Sequence, residues 1–301
     1  MPKPRVALDL FARFIRLAQL ADMTLPLTSH LSPLTSHVAT SNGELPIRLL
    51  SLDFDGTMVG PWLEGKAAVS EELVRCLAAL RKEGALLAIN TGRNLALVDQ
   101  GMELFPAVPD FALTTEREIF RRNKQGWEPL SDWNERCHQD HEQLYTEAAL
   151  LLAEIEAYIL NERQARAYRE YGRMVGLIAQ DNDEMDRIVE YLHLKCRRVS
   201  NLSFQRNSIY LRFCHAIYHK GSVLRALQTH LGIQPHETFA AGDNFNDLPM
   251  LDREIAHHLA CPANSVEAVK ETVRRHGGYV ADQAGGDGVA EALRRICPQL
   301  A

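Results

Sequence analysis

Ser51-Leu-Asp-Phe-Asp-Gly-Thr57 follows directly on the apolar run Ile47-Arg-Leu-Leu50. The run reads as a short strand covered on both faces. It ends in two carboxylates one residue apart, then Gly and Thr. Like charges this close repel, so another part of the fold must hold them in place.

Outward from this stretch, strand and helix signals alternate. Ser70 suits the N-cap of a helix with Glu71 and Glu72 in its first turn, Leu73, Leu77 and Leu80 on its apolar face and Gly84 at its end. A second buried strand, Ala85 to Ile89, closes in Asn90-Thr-Gly-Arg93, which completes a right-handed βαβ unit. The same grammar returns late in the chain. Lys220-Gly-Ser opens a helix with Val223, Leu224, Leu227 and Leu231 on one face, and a strand from Thr238 to Gly242 ends in Asp243. Short strands over Ile255 to Cys261 and Tyr279 to Ala281 flank a helix from about Ser265 to His276. Alternation of this kind predicts an α/β fold, a Rossmann-like, mostly parallel sheet with helices on both sides.

Between the two halves the pattern changes to a long helix over Asp132 to Leu160, a helix over Asp183 to Leu194 and a period-two strand over Ser208 to Phe213. Asp53 and Thr91 are 38 residues apart, enough for one crossover, whereas the 127 residues from Arg93 to Lys220 leave room for an inserted α+β cap. The expected division is a catalytic core of residues 46–116 plus 215–301, a cap of 117–214, and an N-terminal extension of 1–45. That extension pairs an amphipathic helical pattern over Val6 to Ala21 with PLTSH repeated at 26–30 and 33–37. It reads as a poorly ordered or appended tail, a helix packed on the domain or a partner, or a targeting or membrane-surface segment.

Composition excludes several classes. With 46% hydrophobic and 24% charged residues, the 301-residue chain can bury a core. A net charge of -6 offers no basic field for nucleic acid. No apolar run approaches the roughly 18 residues of a membrane span, and no secretory leader pattern is evident. Six scattered cysteines, without a C-x-x-C pair, suit a reducing, cytoplasmic setting. Oligomeric state is not legible.

Ligands of an open parallel sheet sit at the carboxyl ends of its strands. Four polar clusters fall at strand ends or helix starts: Asp53-Phe-Asp-Gly-Thr57, Thr91-Gly-Arg93, Lys220-Gly221 and Gly242-Asp-Asn-Phe-Asn-Asp247. Oxygen donors without His or Cys select a hard cation, Mg2+ above all. In such a crevice Asp53 suits nucleophilic attack on phosphorus. Asp55 suits proton transfer to the leaving alkoxide and later from water. Thr91 and Lys220 suit stabilisation of phosphoryl oxygens, and Gly56 and Gly92 permit close approach of backbone amides to an anion.

The order DFDGT, a Thr in NTGR, KG and GDNFND resembles the haloacid dehalogenase superfamily. The likeness covers about residues 46–301. The tail Cys261-Pro-Ala-Asn-Ser-Val-Glu-Ala-Val-Lys270, followed by Gly286-Asp-Gly-Val-Ala-Glu-Ala292, is similar to the Cof-type branch with a C2-type (IIB) cap. The resemblance implies that Asp53 is the nucleophile and Asp55 the acid/base. It implies Mg2+ held by the Asp53 side chain, the Asp55 backbone carbonyl and Asp243, with Asp247 auxiliary. Thr91, Gly92 and Lys220 would bind the phosphoryl group and Asn246 would touch it, with Gly56 and Arg93 also on the substrate side.

The chain departs from many Cof-type relatives after the third core strand, where Thr114-Thr-Glu-Arg-Glu118 replaces an Asn-Gly pair. Glu116 and Arg117 are expected there as a hinge ion pair or as contacts to the leaving group. Among the other candidates, His257 and His258 read as structural. His215 and His219 read as ordinary return-strand residues that could approach the crevice. Arg121, Arg122, His138, His141, Tyr168 and Arg169 are weaker candidates for reading a leaving group.

The expected activity is Mg2+-dependent hydrolysis of small phosphate monoesters, with sugar phosphates as the leading class and an aspartyl-phosphate intermediate. The alternatives are a phosphomutase or phosphotransferase of the same fold and a non-catalytic phosphate-binding regulatory protein.

Overall fold

A computed structural model of the chain describes residues 47–60, 69–103, 105–170 and 172–300. The expectations for residues 1–45 lie outside them. Among the described residues, an eight-stranded sheet starts with β1 (Leu49–Leu52), β2 (Leu86–Asn90), β3 (Phe111–Thr114), β4 (Glu118–Asn123) and β5 (Gly126–Pro129). Its late strands are β10 (Thr238–Ala241), β11 (His258–Cys261) and β12 (Tyr279–Val280), and the spatial order is β12-β11-β10-β1-β2-β3-β4-β5. Every pairing from β12 through to β3 is parallel, as the alternating pattern predicts.

Both faces of this sheet are covered, which is why β1 is buried along its whole length and apolar at every position but Ser51. Leu50 and Leu52 point towards α1 (Glu71–Lys82) and α8 (Gly285–Ile296), packing with Leu73, Leu77, Val289 and Leu293. Leu49 points the other way, among Val223, Leu224 and Leu227 of α6 (Lys220–Leu231) and Val269 and Val273 of α7 (Glu267–Arg275). Burying one such leucine is worth roughly 1.5–3 kcal/mol, and burial on both faces fixes the strand in the middle of the sheet. Ser70 caps α1 by accepting the amide of Leu73, as its position suggests.

β4 and β5 correct the expected cap boundary at 117. They continue the core sheet as an antiparallel hairpin on β3, with the turn at Lys124 and Gln125 closing on Gly126 at φ +130°. The hairpin reads as insert because it lies at the sheet edge, where the half-exposed Arg121 and the exposed Arg122 weaken the alternation. The expected single helix over 132–160 is two helices, α3 (Ser131–Glu147) and α4 (Ala149–Glu162), with α2 (Leu95–Met102) earlier in the chain. The break at Ala148 follows a back-bond from the Thr146 hydroxyl to the Glu142 carbonyl, which bends helices.

The insert has its own sheet, β6 (Ala165–Glu170), β7 (Arg173–Ala179), β8 (Leu202–Asn207) and β9 (Tyr210–His215), ordered β6-β7-β9-β8 and antiparallel throughout. Val175, Leu177, Leu211 and Phe213 pack on α4 and α5 (Asn182–Lys195), together with Tyr145 of α3. The residues between them, Gly176 and Arg212, belong to the opposite face by the pleat.

Chain order reverses at β1, which pairs β2 on one side and β10 on the other. In a doubly wound sheet that is where a ligand crevice opens.

Candidate active site

Asp53 is the first residue beyond β1, and its amide donates to the Ala241 carbonyl at the end of β10, 3.0 Å away. Asp243 follows β10, Thr91 follows β2, and Lys220 starts α6. The loop after Asp53 turns back at Gly56, φ +86°, where a Cβ would fall 2.5 Å from Asp243 Oδ2. Only glycine tolerates both the conformation and the approach. Gly242 is constrained by approach alone, since a Cβ there would meet Asp247 Cγ at 2.3 Å.

Lys220 is fully buried, and its ammonium donates to Asp53 Oδ1 and Asp247 Oδ1, each at 2.6 Å. Its helix is anchored by a reciprocal cap in which His219 Nδ1 accepts the Ser222 amide and Ser222 Oγ accepts the His219 amide. Asn90 Nδ2 donates to the Lys220 carbonyl at 3.0 Å, tying α6 to the end of β2. Asp247 makes three bonds: Oδ1 takes the ammonium, and Oδ2 accepts the amides of Asp243 and Asn244, both at 2.8 Å. Asp247 thus braces Lys220 and the loop while its carboxylate stays within the acidic group of Asp53 and Asp243. The Thr57 hydroxyl donates to Asp243 Oδ1 at 2.9 Å, a role that the position of Thr57 in the first motif did not disclose.

Asp53, Asp243 and Asp247 bring ligand oxygens within 4.8 Å of one another, with Lys220 as the ammonium between them. Burial, with Asp247 and Asp243 adding to it, raises the Asp53 carboxyl above its ordinary range despite the pull of Lys220. Burial and the neighbouring Asp247 push Asp243 up to about 7. Lys220 is raised as well: burial alone would lower it, but Asp247 and Asp53 outweigh burial and hold the ammonium charged. Carboxylates so crowded and dry, offering only oxygen, fit a hard divalent cation.

Asp55 stands apart from this cluster. Arg93 grips it in a two-pronged pair, Nε to Oδ2 at 2.6 Å and Nη2 to Oδ1 at 2.5 Å, while Nη1 donates to the Leu97 carbonyl. Arg93, expected on the substrate side, is thus turned towards the acid/base candidate and lies over the Phe54 ring. Thr91 is buried beside this loop, and its Oγ1 accepts the Arg93 amide at 3.2 Å.

The turn after β3 enters the same crevice. Thr115 and Glu116 both have left-handed backbone, φ +49° and +65°. Three amides hold them there: Thr115 to the Arg93 carbonyl, Glu116 to Thr91 and Arg117 to Thr114. The buried Glu116 side chain accepts from Asn246 Nδ2 at 2.6 Å. No ion pair joins Glu116 to Arg117 among the described residues, which removes the hinge-pair alternative. Arg117 keeps Nε and Nη1 buried without a hydrogen-bond partner.

The remaining candidates disperse. His215 and His141 belong to a buried aromatic cluster with Tyr218 and Trp133, and His219 is a helix cap. His257 and His258 pack edge-to-face on each other. His138 pairs with Glu118, Arg169 with Glu156, and Arg122 lies over Trp127. Asn264 joins the site from outside the expected residues: its Nδ2 donates to the Gly56 carbonyl and its Oδ1 accepts the Gly285 amide, pinning the Asp53 loop to α8. Its signal was its place in the Cys261-Pro-Ala-Asn tail.

Residues 110–293 match the family model of haloacid dehalogenase-like hydrolases. The chain belongs to that family. The matched span includes Lys220 and Gly242 to Asp247, whereas Asp53 and Thr91 precede it. A haloacid dehalogenase-like reading also agrees with curated relatives. A putative phosphatase of Haemophilus influenzae is 31% identical over 117 residues, 38% of this chain and 42% of that protein. A phosphoglycolate phosphatase of Methanopyrus kandleri is 37% identical over 81 residues, 27% of this chain and 32% of that protein. The chain thus spans less than half the length of the curated relatives it matches. Among solved structures, the sucrose-phosphatase of Synechocystis sp. PCC6803, in complex with sucrose and phosphate, superposes with a TM-score of 0.61 at 17% identity, covering 84% of this chain and 98% of that one. A protein of Streptococcus mutans UA159 gives 0.62 at 16% identity, covering 84% and 99%. At these identities the likeness establishes the haloacid dehalogenase fold and no more. No helix among the described residues is long and apolar enough to cross a membrane.

Proposed function

We propose that the protein is a Mg2+-dependent phosphatase that hydrolyses small phosphate monoesters, sugar phosphates foremost, through an aspartyl-phosphate. The observation that carries this reading is the buried meeting of Asp53, Asp243 and Lys220 at the reversal point of the sheet. Asp53, Asp243 and the backbone carbonyl of Asp55 would hold Mg2+, which when bound neutralises the carboxylates and the phosphoryl charge.

An Asp53 oxygen attacks phosphorus, forming the Asp53–O–P bond as the ester P–O bond breaks. Asp55 gives its proton to the departing alkoxide. Asp55 then takes a proton from water as that water attacks the aspartyl-phosphate, releasing inorganic phosphate and restoring Asp53. For both steps Arg93 holds the Asp55 carboxyl in a fixed orientation. Lys220 and Thr91 stabilise the phosphoryl oxygens as charge spreads, with Gly92 keeping the backbone close. The partner is a small phosphorylated metabolite, because a cap above the crevice excludes water and large substrates alike.

The test is turnover of a broad panel of phosphate esters, with and without Mg2+. Mg2+-dependent phosphate release from part of the panel supports the reading. Tight phosphate binding without turnover of any ester moves the non-catalytic alternative ahead.

A further inference from the structure

Glu116 places a carboxylate where a phosphate-binding site has least use for one. Its Oε1 lies 3.3 Å from the point where a Cβ on Gly92 would stand, so the group rests against the phosphoryl loop itself. Two consecutive left-handed residues put it there, a conformation that side chains other than glycine adopt only at a cost. Strain of this kind survives only where surrounding bonds over-determine it, and the three backbone bonds of this turn do so.

The Asn246 amide that binds Glu116 leaves its own Oδ1 buried without a partner. Buried polar atoms in native proteins are rarely left unpaired. Asn246 Oδ1 is an unspent acceptor at this edge, the Glu116 carboxylate beside it also only accepts, and acceptors are satisfied by hydroxyl or amine donors. From above, Tyr168 lies across Gly176, whose Cβ would stand 2.2 Å from the ring, and Arg212 beside it is already paired with Glu170 at 3.0 Å. Glu116 feels both Arg212 and Lys220.

We propose that Glu116, with Asn246, selects the leaving group: the two oxygens form an acceptor edge that takes hydroxyl donors of a polyhydroxylated phosphate ester and repels esters bearing a second anion. This rests on the phosphatase reading above. The rival is recognition of an anionic leaving group by Arg117, whose Nε and Nη1 are unpaired.

The experiment compares wild type with Glu116→Gln on hexose 6-phosphates, 2-phosphoglycolate and p-nitrophenyl phosphate in Mg2+, with melting temperatures recorded. Wild type should favour the best hexose 6-phosphate over 2-phosphoglycolate by about tenfold or more in kcat/KM. In Glu116→Gln that ratio should fall by about tenfold, chiefly through a higher KM for the hexose ester. The Gln amide oxygen still accepts from Asn246, so the fold should persist with little change in Tm. An unchanged ratio in a folded variant overturns the proposal. So does a wild-type preference for 2-phosphoglycolate that Arg117→Gln abolishes. Failure to hydrolyse any ester, p-nitrophenyl phosphate included, overturns the phosphatase reading and this proposal with it.

Discussion

Lys220 Nζ lies 2.6 Å from Asp53 Oδ1, in a pair where both side chains are almost wholly shielded from solvent. The same ammonium reaches Asp247, so one cation holds two buried carboxylates that would otherwise repel. This answers the question raised by the two aspartates of DFDGT. Asp53 is held by a lysine far along the chain, and Asp55 by Arg93.

Replacing that lysine should therefore damage stability and chemistry together. Lys220→Met leaves Asp53 and Asp247 buried without their counter-ion, at an expected cost of about 3–5 kcal/mol. Chemical denaturation without Mg2+ reads this directly. kcat/KM for p-nitrophenyl phosphate should fall by about 10^2-fold or more even where the variant is folded. A stable Lys220→Met enzyme with near-normal turnover would contradict the assigned geometry.

Arg93 separates two roles by kinetics. As the clamp that orients Asp55, its loss in Arg93→Ala should lower kcat by about 10–100-fold with KM little changed. If Arg93 instead binds the phosphoryl group, as its place in the second motif suggested, KM should rise while kcat holds.

His141 supplies a pH signature. Its Nδ1–H donates to the Cys137 carbonyl at 2.7 Å and its Nε2 accepts the His215 amide at 3.2 Å, so the ring is buried in its neutral form. Burial, reinforced by Arg117, lowers its pKa from 6.5 to about 3. The unfolded chain binds a proton that the native state refuses. The stability involved is therefore full above pH 6.5 and is lost as the pH falls towards 3. The slope of unfolding free energy against pH in this window should carry about 1.4 kcal/mol per pH unit from this residue. Denaturant melts at several pH values should show His141→Asn with a slope shallower by one proton.

What was legible in the sequence follows from how each feature is encoded. Asp53, Thr91, Lys220 and Asp243 are local: each ends an apolar run or opens an amphipathic helix, and parallel strands bring such ends to one crevice. The β4–β5 hairpin was misassigned because an edge ribbon with half-exposed positions lacks the buried-strand pattern. The Asp55–Arg93 clamp and the Glu116–Asn246 bond were invisible for a different reason. The first depends on which way a side chain turns. The second joins residues 130 apart through a left-handed turn that neither Thr nor Glu announces.

The central claim is that the Asp53 carboxylate is the nucleophile. It is tested most directly by kcat/KM of Asp53→Asn for p-nitrophenyl phosphate in Mg2+, beside wild type. The amide keeps the shape but cannot form the acyl-phosphate, so a fall of about 10^3-fold or more is predicted. Retention of activity within about tenfold of wild type would contradict it.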